Sequence, residues 1–345
     1  MTSAKTITAR LARLIGAWTA LLVMGIGSDL AAGETASPPS TVLDRLWIWT
    51  HPAGAHDGID IGGGRKGKSR MKPVEGADYL DVPNLYFIHF PNNPPISAFR
   101  QYATDFRPMK RVVWSLTGAG GDTSPEGREA VLRLATEFPN ISGLVLDDFL
   151  HWSAASPPDP WLAANDAHFP VSLVLTPGGP KPEQSGKAAR NPVPASMTPE
   201  QLKALRERIA AQGRRLPITC VVYTHQISPC ILPHVNQVDK VAMWTWRSEA
   251  LVNLEVNFEK LRRLVHPKPV LLGCYLFDYG DNKQMTVDRM KQQCELGLKW
   301  LHEGKIEGMI FLASNVCDME LPAVEWTRKW ITSVGKQVIR HPSEK

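Results

Sequence analysis

Short apolar runs recur along the chain, and most are followed by a segment with helical spacing. The runs are Leu46–Trp49, Asn84–Phe90, Arg111–Leu116, Ile141–Phe149, Pro217–Tyr223, Lys240–Trp246, Val270–Phe277 and Gly308–Ala313. They are largely continuous rather than alternating, which predicts strands buried on both faces, as in a parallel sheet. Between them lie predicted helices. Ser97 caps one that reaches Phe106, and Ser124 with Pro125 opens another carrying Val131, Leu132, Leu134, Ala135 and Phe138. Thr198-Pro199-Glu200-Gln201 is a capping box whose helix runs to about Ala211 and closes at Gly213. Three more span about Ser248–Leu264, Val287–His302 and Leu321–Val334, the last with Trp326 and Trp330 on one face. The first crossover shows no clear helix, and Pro73 is expected to block one there. The fifth crossover shows only a weak one, near Ile231–Gln237. Eight strands alternating with helices predict an α/β fold, a (β/α)8 TIM-type barrel with a long insertion after strand 4. A doubly wound open sheet is the alternative, but no glycine-rich dinucleotide turn follows the first strand.

The ends and one internal stretch depart from this rhythm. Lys5, Arg10 and Arg13 precede the apolar run Leu14–Gly27, and Ala31-Ala32-Gly33 offers small residues for cleavage. Residues 1–33 therefore read as a signal peptide, which predicts a secreted or periplasmic protein with no stable membrane insertion after cleavage. Residues 34–42 read as a linker, 43–336 as the barrel and 337–345 as a tail. Residues 150–197 are rich in Pro, Gly, Ala and Ser around one apolar run, Val171–Leu175, and read as a loop or lid. The formal charge of +5 shrinks to +3 without residues 1–33, because these carry three basic residues and Asp29. A scattered excess of that size is no footprint for nucleic acid.

Two further features need placing. Gly62-Gly63-Gly64-Arg65-Lys66-Gly67-Lys68-Ser69 satisfies the phosphate-loop spacing, but the stretch before it is polar and no helix is expected after it, so it reads as a surface loop. Five cysteines (Cys220, Cys230, Cys274, Cys294, Cys317) have no zinc spacing; one disulfide is possible and the odd count leaves at least one thiol unpaired.

The chemistry of such a barrel sits at the carboxyl ends of its strands. There the sequence places His51, His89, Trp114, Asp147, Asp148, Tyr223, His225, Trp244, Trp246, Tyr275, Asp278, Tyr279, Asn315 and Asp318. Aromatic faces suit sugar C–H surfaces, while carboxylates and amides suit hydroxyls, so the expected partner is an oligo- or polysaccharide. Of Trp244 and Trp246, one is expected to face the barrel interior and the other the helix layer. Asp147 and Asp148, ending an apolar run, are expected where the strand emerges, because burying unpaired carboxylates inside it would cost several kcal/mol.

The apolar strand ending Gly143-Leu144-Val145-Leu146-Asp147-Asp148-Phe149 resembles the (β/α)8-barrel glycoside hydrolases, over roughly Leu43–Val334. The chitinase pattern D-x-x-D-x-D-x-E and the strand-four Asn-Glu pair are both absent. The resemblance implies glycosidic bond cleavage by two carboxyl groups and no cofactor. One of Asp147 and Asp148 is then catalytic and the other a support, since neighbours on a strand point to opposite sides. Asp278 is the first choice for the second carboxyl group, before Glu249 and Asp318. Two other readings stay open. His51, His89, Asp147, Asp148 and His225 offer ligands for a metal-dependent polysaccharide deacetylase or hydrolase, although His151 and His168 lack helical ligand spacing. The same aromatic residues also suit a non-catalytic carbohydrate-binding barrel.

Overall fold

The computed structural model describes residues 40–151 and 194–339. Eight parallel strands close into a barrel: β1 (Leu46–Thr50), β2 (Asn84–Phe87), β3 (Arg111–Thr117), β4 (Ile141–Leu146), β5 (Ile218–Tyr223), β6 (Lys240–Trp244), β7 (Val270–Tyr275) and β8 (Gly308–Leu312). Neighbours in the barrel are neighbours in sequence, and β1 closes the ring against β8 in the register Trp49↔Leu312. Each predicted apolar run coincides with one of these strands. The runs at β1 and β3 stop one residue short, and those at β2, β4, β6, β7 and β8 pass the strand end, by three residues at most.

Among the described residues eight α-helices surround it: α1 (Pro73–Leu80), α2 (Phe99–Asp105), α3 (Pro125–Glu137), α4 (Pro199–Ala210), α5 (Leu232–Val235), α6 (Leu254–Val265), α7 (Val287–His302) and α8 (Pro322–Val334). The first crossover therefore does hold a helix. Pro73 starts it, because the first helical position needs no N–H and suits the fixed φ of proline, while Glu75 accepts the Lys72 N–H at 2.8 Å. Ser97 is not a cap; a 3₁₀ turn at Ile96–Ala98 leads into α2 instead. The signals at Ser124 and Thr198 act as read, with Ser124 Oγ accepting from Gly127 N–H at 3.0 Å and Thr198 Oγ1 from Gln201 N–H at 3.3 Å.

The barrel interior is filled, not open. Trp49 stacks on Tyr86 with ring centroids 5.5 Å apart and meets Trp244 edge-on at 5.2 Å. Trp244 takes the space that Gly273 leaves: a Cβ on Gly273 would stand 2.1 Å from the indole. All five cysteines are free thiols, and Cys220, Cys274, Cys294 and Cys317 are buried, where they pack as small apolar residues.

The ends of the body meet. Val42 N–H donates to the Gln337 carbonyl at 2.8 Å, Ile339 N–H to the Ser40 carbonyl at 2.8 Å, and Thr41 bridges Val338. Val42 is wholly buried. The expected signal peptide, most of the linker, the run Val171–Leu175 and His168 lie outside the described residues. Among those residues no helix is long and apolar enough to cross a membrane.

Candidate active site

Asp147 and Asp148 follow directly on β4 at the carboxyl end of the barrel. Asp148 adopts φ +43°, the left-handed region that Asp tolerates better than most residues. Strand alternation is thereby lost, and the two carboxyl groups sit within electrostatic reach of each other and of the Tyr223 and Tyr275 hydroxyls. The strand alternation behind the opposite-sides expectation stops at Leu146, the last residue of β4. Asp147 is buried, and desolvation, reinforced by the charge of Asp148, pushes its pKa well above the ordinary carboxylate range. Its backbone is fixed from β3: Asp147 N–H donates to the Thr117 carbonyl at 3.1 Å, and Thr117 Oγ1 donates to the Asp147 carbonyl at 2.8 Å.

Asp148 is half-buried and held by two donors. Tyr223 Oη donates to its Oδ1 at 2.6 Å, and Gly120 N–H donates to its Oδ2 at 2.8 Å. Gly120 needs its φ of +73° to present that N–H, which gives the glycine-rich stretch after β3 its purpose. Tyr223 is positioned by Gln226, whose Oε1 accepts the Tyr223 N–H at 2.9 Å while its Nε2 donates to the Leu150 carbonyl at 2.9 Å. Past the pair, Leu150 bridges Ala195, and Ser196 Oγ joins His151 Nε2 at 3.0 Å to the Gly121 carbonyl at 2.6 Å. The two described ends of the insertion thus lie side by side next to Asp148.

Aromatic rings continue from this point around the mouth. Tyr223 stacks on His225 at 5.5 Å and meets Trp246 at 5.7 Å; Trp246 meets Tyr275 at 5.9 Å, and Tyr275 meets Tyr279 at 5.6 Å. Tyr279 Oη hydrogen-bonds His56 Nδ1 at 2.8 Å, and the His56 ring lies 4.8 Å from His51. Trp246 is the exposed member, with 40% of its surface accessible. Trp244 and Trp246 do not divide between interior and helix layer. They are two residues apart, so the strand period of 2 sends both inward, with Trp244 buried in the core and Trp246 beyond the strand end at the mouth.

The other candidates are placed elsewhere or fully employed. Trp114 points outward, buried among Phe87, Phe99 and Phe106 beneath α2. Asp278 is buried; its Oδ2 accepts from Ser248 N–H at 3.1 Å and from the Ser248 hydroxyl, and its Oδ1 accepts from Asp281 N–H at 3.1 Å. It is a fastener between the loops after β6 and β7, not a carboxyl group offered across the mouth. Glu249 is exposed and pairs with Lys283 at 3.3 Å, and Asp318 Oδ2 accepts the Arg70 N–H at 3.1 Å. Asn315 is buried and ties the β8 loop to the β1 loop through the Pro52 carbonyl at 2.9 Å.

The histidines are scattered around the rim. His51 Nδ1 lies 3.2 Å from the Ile88 carbonyl, and His89 Nδ1 lies 2.7 Å from Ser115 Oγ. Burial lowers the pKa of both, and it brings His56 and His225 to about 4. The five side chains considered as metal ligands are not brought together. Among the described residues no three His, Cys, Asp or Glu side chains are grouped as a metal site.

No family model matches this chain. A segment of 116 residues is 30% identical to bovine (Bos taurus) alpha-1B-glycoprotein, covering 31% of this chain and 20% of that protein, so the chain spans about a fifth of its curated relative. Similar solved structures include the catalytic domain of a chitinase from Pyrococcus furiosus, with 12% identity, TM-score 0.47, and 86% and 98% of the two chains covered. Another is the spore cortex-lytic enzyme SleL of Bacillus megaterium, with 9% identity, TM-score 0.47 and coverage of 88% and 77%. A third is a glycoside hydrolase family 17 β-1,3-glucanosyltransferase from Rhizomucor miehei, with 10% identity, TM-score 0.38 and coverage of 77% and 85%.

Proposed function

We propose that this protein is an exported hydrolase of glycosidic bonds, working with Asp147 and Asp148 at the mouth of the barrel. The observation that carries the reading is the contrast between two neighbouring carboxyl groups. Asp147 is buried and its pKa is raised, whereas Asp148 is half-buried and accepts from Tyr223 and Gly120. A buried carboxyl group with a raised pKa suits the acid, and a hydrogen-bonded, more accessible one suits the base. Asp147 gives its proton to the leaving glycosidic oxygen. A water molecule attacks the anomeric carbon and loses its proton to Asp148, whose oxygens keep free lone pairs beside their two donors. Trp246 supplies a face for a sugar ring, and Tyr223 keeps the base in place.

Hydrolysis of a panel of purified glycans tests this. Asp147→Asn and Asp148→Asn are each expected to lower turnover by roughly 10²–10⁴-fold at unchanged folding. Turnover equal to wild type in both variants would defeat the reading. The export signal is checked by the amino-terminal residue of the secreted protein, expected after residue 33.

The second reading, a non-catalytic carbohydrate-binding barrel, is favoured by the complete engagement of Asp278, which leaves the mouth without a carboxyl group from β7. Glycan binding with no turnover, insensitive to both Asn substitutions, supports it.

A further inference from the structure

The phosphate-loop-like stretch is not absorbed by the proposed reaction, and the structure gives it a different form. Residues 58–67 make a small hairpin: Gly58 N–H donates to the Gly67 carbonyl at 2.9 Å and Gly67 N–H to the Ile59 carbonyl at 2.9 Å. Gly62, Gly63 and Gly64 turn it with φ of +84°, +63° and +74°. No helix N-terminus follows the turn. The chain runs on to Lys72 outside any helix or strand, and burial alternates along it: Lys66, Lys68, Arg70 and Lys72 are exposed, while Gly67 and Ser69 are buried and Met71 half-buried. The alternation leaves the four cationic residues on the solvent side.

This row of cations is fixed from below. The strip lies close to the β8 loop at Gly67, where a Cβ would stand 2.7 Å from Met319 Sδ. Ser69 N–H donates to Asp57 Oδ1 at 2.9 Å, and Arg70 N–H to Asp318 Oδ2 at 3.1 Å. Counter-charge is incomplete. Lys66 meets Asp60 at 3.6 Å and Arg70 meets Asp57 at 3.0 Å, whereas among the described residues Arg65, Lys68 and Lys72 have no carboxylate within 4.0 Å of their charged groups. Glu75 takes the backbone N–H of Lys72, not its ammonium.

The strip also belongs to the mouth. Its hairpin is bound to the loop after β7 through Asp60 N–H and Asn282 Oδ1 at 3.2 Å, and through Gln284 and the Ile61 carbonyl. His56, just before the hairpin, is bonded to Tyr279 and ends the row of rings that begins at Tyr223 beside Asp148. A chain of ring contacts thus links the carboxyl pair to the loop that carries the positive charge, with Trp246 its exposed member. Sugar faces match the rings, but a neutral glycan leaves the cations unused.

We propose that the Lys66–Lys68–Arg70–Lys72 strip is a binding surface for an anionic glycan, and that the polymer acted on at the mouth carries carboxylate or sulfate groups. This rests on the glycan reading above.

The test is direct binding of the full-length mature protein to a neutral glucan, a polyuronate, a sulfated glycan and polyglutamate, at about 50 mM and about 300 mM NaCl. The comparison is with the triple variant Lys66→Gln, Lys68→Gln, Lys72→Gln, which leaves the Arg70–Asp57 pair intact. One or both anionic glycans are expected to bind at least about tenfold tighter than the glucan, with affinity falling at the higher salt. The triple variant is expected to lose about tenfold on them while keeping its glucan binding and melting temperature. Whichever of polyuronate and sulfated glycan responds identifies the anionic group. Glucan bound as well as the anionic glycans overturns the inference and leaves the hydrolase reading standing, as does a triple variant indistinguishable from wild type. Polyglutamate bound as tightly as the glycans overturns it as well, since charge alone then suffices. Binding to no glycan overturns both readings.

Discussion

Tyr223 Oη donates to Asp148 Oδ1 at 2.6 Å across the gap between β5 and the end of β4. This bond fixes a carboxylate whose backbone is in a left-handed conformation, and which a free χ1 rotation would otherwise let swing. Tyr223→Phe keeps the ring that stacks on His225 and removes only the donor. It is expected to lower turnover about tenfold to a hundredfold and stability by about 1.5–3 kcal/mol, as for a hydrogen bond to a charged group. Steady-state kinetics beside a denaturant melt separate the two effects.

Asp147 and the rim histidines give stability opposite dependences on pH. Asp147 has its pKa raised on folding, so the folded state binds the extra proton. Its contribution is full below the ordinary carboxylate value of 3.8 and is lost as pH rises toward its folded pKa. His56 and His225 have theirs lowered from 6.5 to about 4 by burial, so the unfolded state binds the proton between these values. Their effect is a loss of stability as pH falls from 6.5 to 4. Melting temperatures across pH 4 to 8 are expected to show a flatter alkaline limb in Asp147→Asn and a flatter acid limb in His225→Gln. A limb unchanged by its own substitution contradicts the corresponding assignment.

Trp244 and Trp246 are two residues apart and have different work. Trp246→Ala removes a half-exposed face and is expected to weaken glycan binding about tenfold, or about 1.4 kcal/mol, with little change in melting. Trp244→Ala empties the barrel interior against Trp49 and Gly273 and is expected to cost about 3–5 kcal/mol of stability. Binding titrations and denaturant melts of the two variants give the comparison.

Asp278 offers a decisive control. Asp278→Ala strands the Ser248 and Asp281 N–H donors and is expected to destabilise by about 1–3 kcal/mol, while the molecules that remain folded turn over at close to the wild-type rate. A loss of turnover as deep as that of Asp147→Asn, at equal folded fraction, would restore Asp278 to the chemistry.

The barrel was legible because buried parallel strands leave continuous apolar runs, and each of the eight runs overlaps one strand. The helix after β1 was hidden because Pro73 reads as a breaker unless the first-turn exception is applied. The carboxyl pair was legible in place, since charge cannot stay within such a run. Its geometry was not, because nothing in Asp147-Asp148 announces a left-handed residue. The setting of Asp278 was not legible, because sequence shows that a carboxylate ends a strand but not that Ser248 and Asp281 donate to it. His56 was overlooked in a polar glycine-rich loop, where only contact with Tyr279 gives it meaning.

Ser40 and Ile339 are hydrogen-bonded neighbours at the seam of the body. Chain order around the barrel is therefore not imposed by its geometry: a short peptide joining these two residues would close the backbone into a circle, and the circle can be reopened in another surface turn. The turn at Gly213, which precedes β5 and is remote in sequence from both carboxyl groups, is one such place. A permutant starting there would carry Asp147 and Asp148 in the second half of its chain, in the same ring of strands.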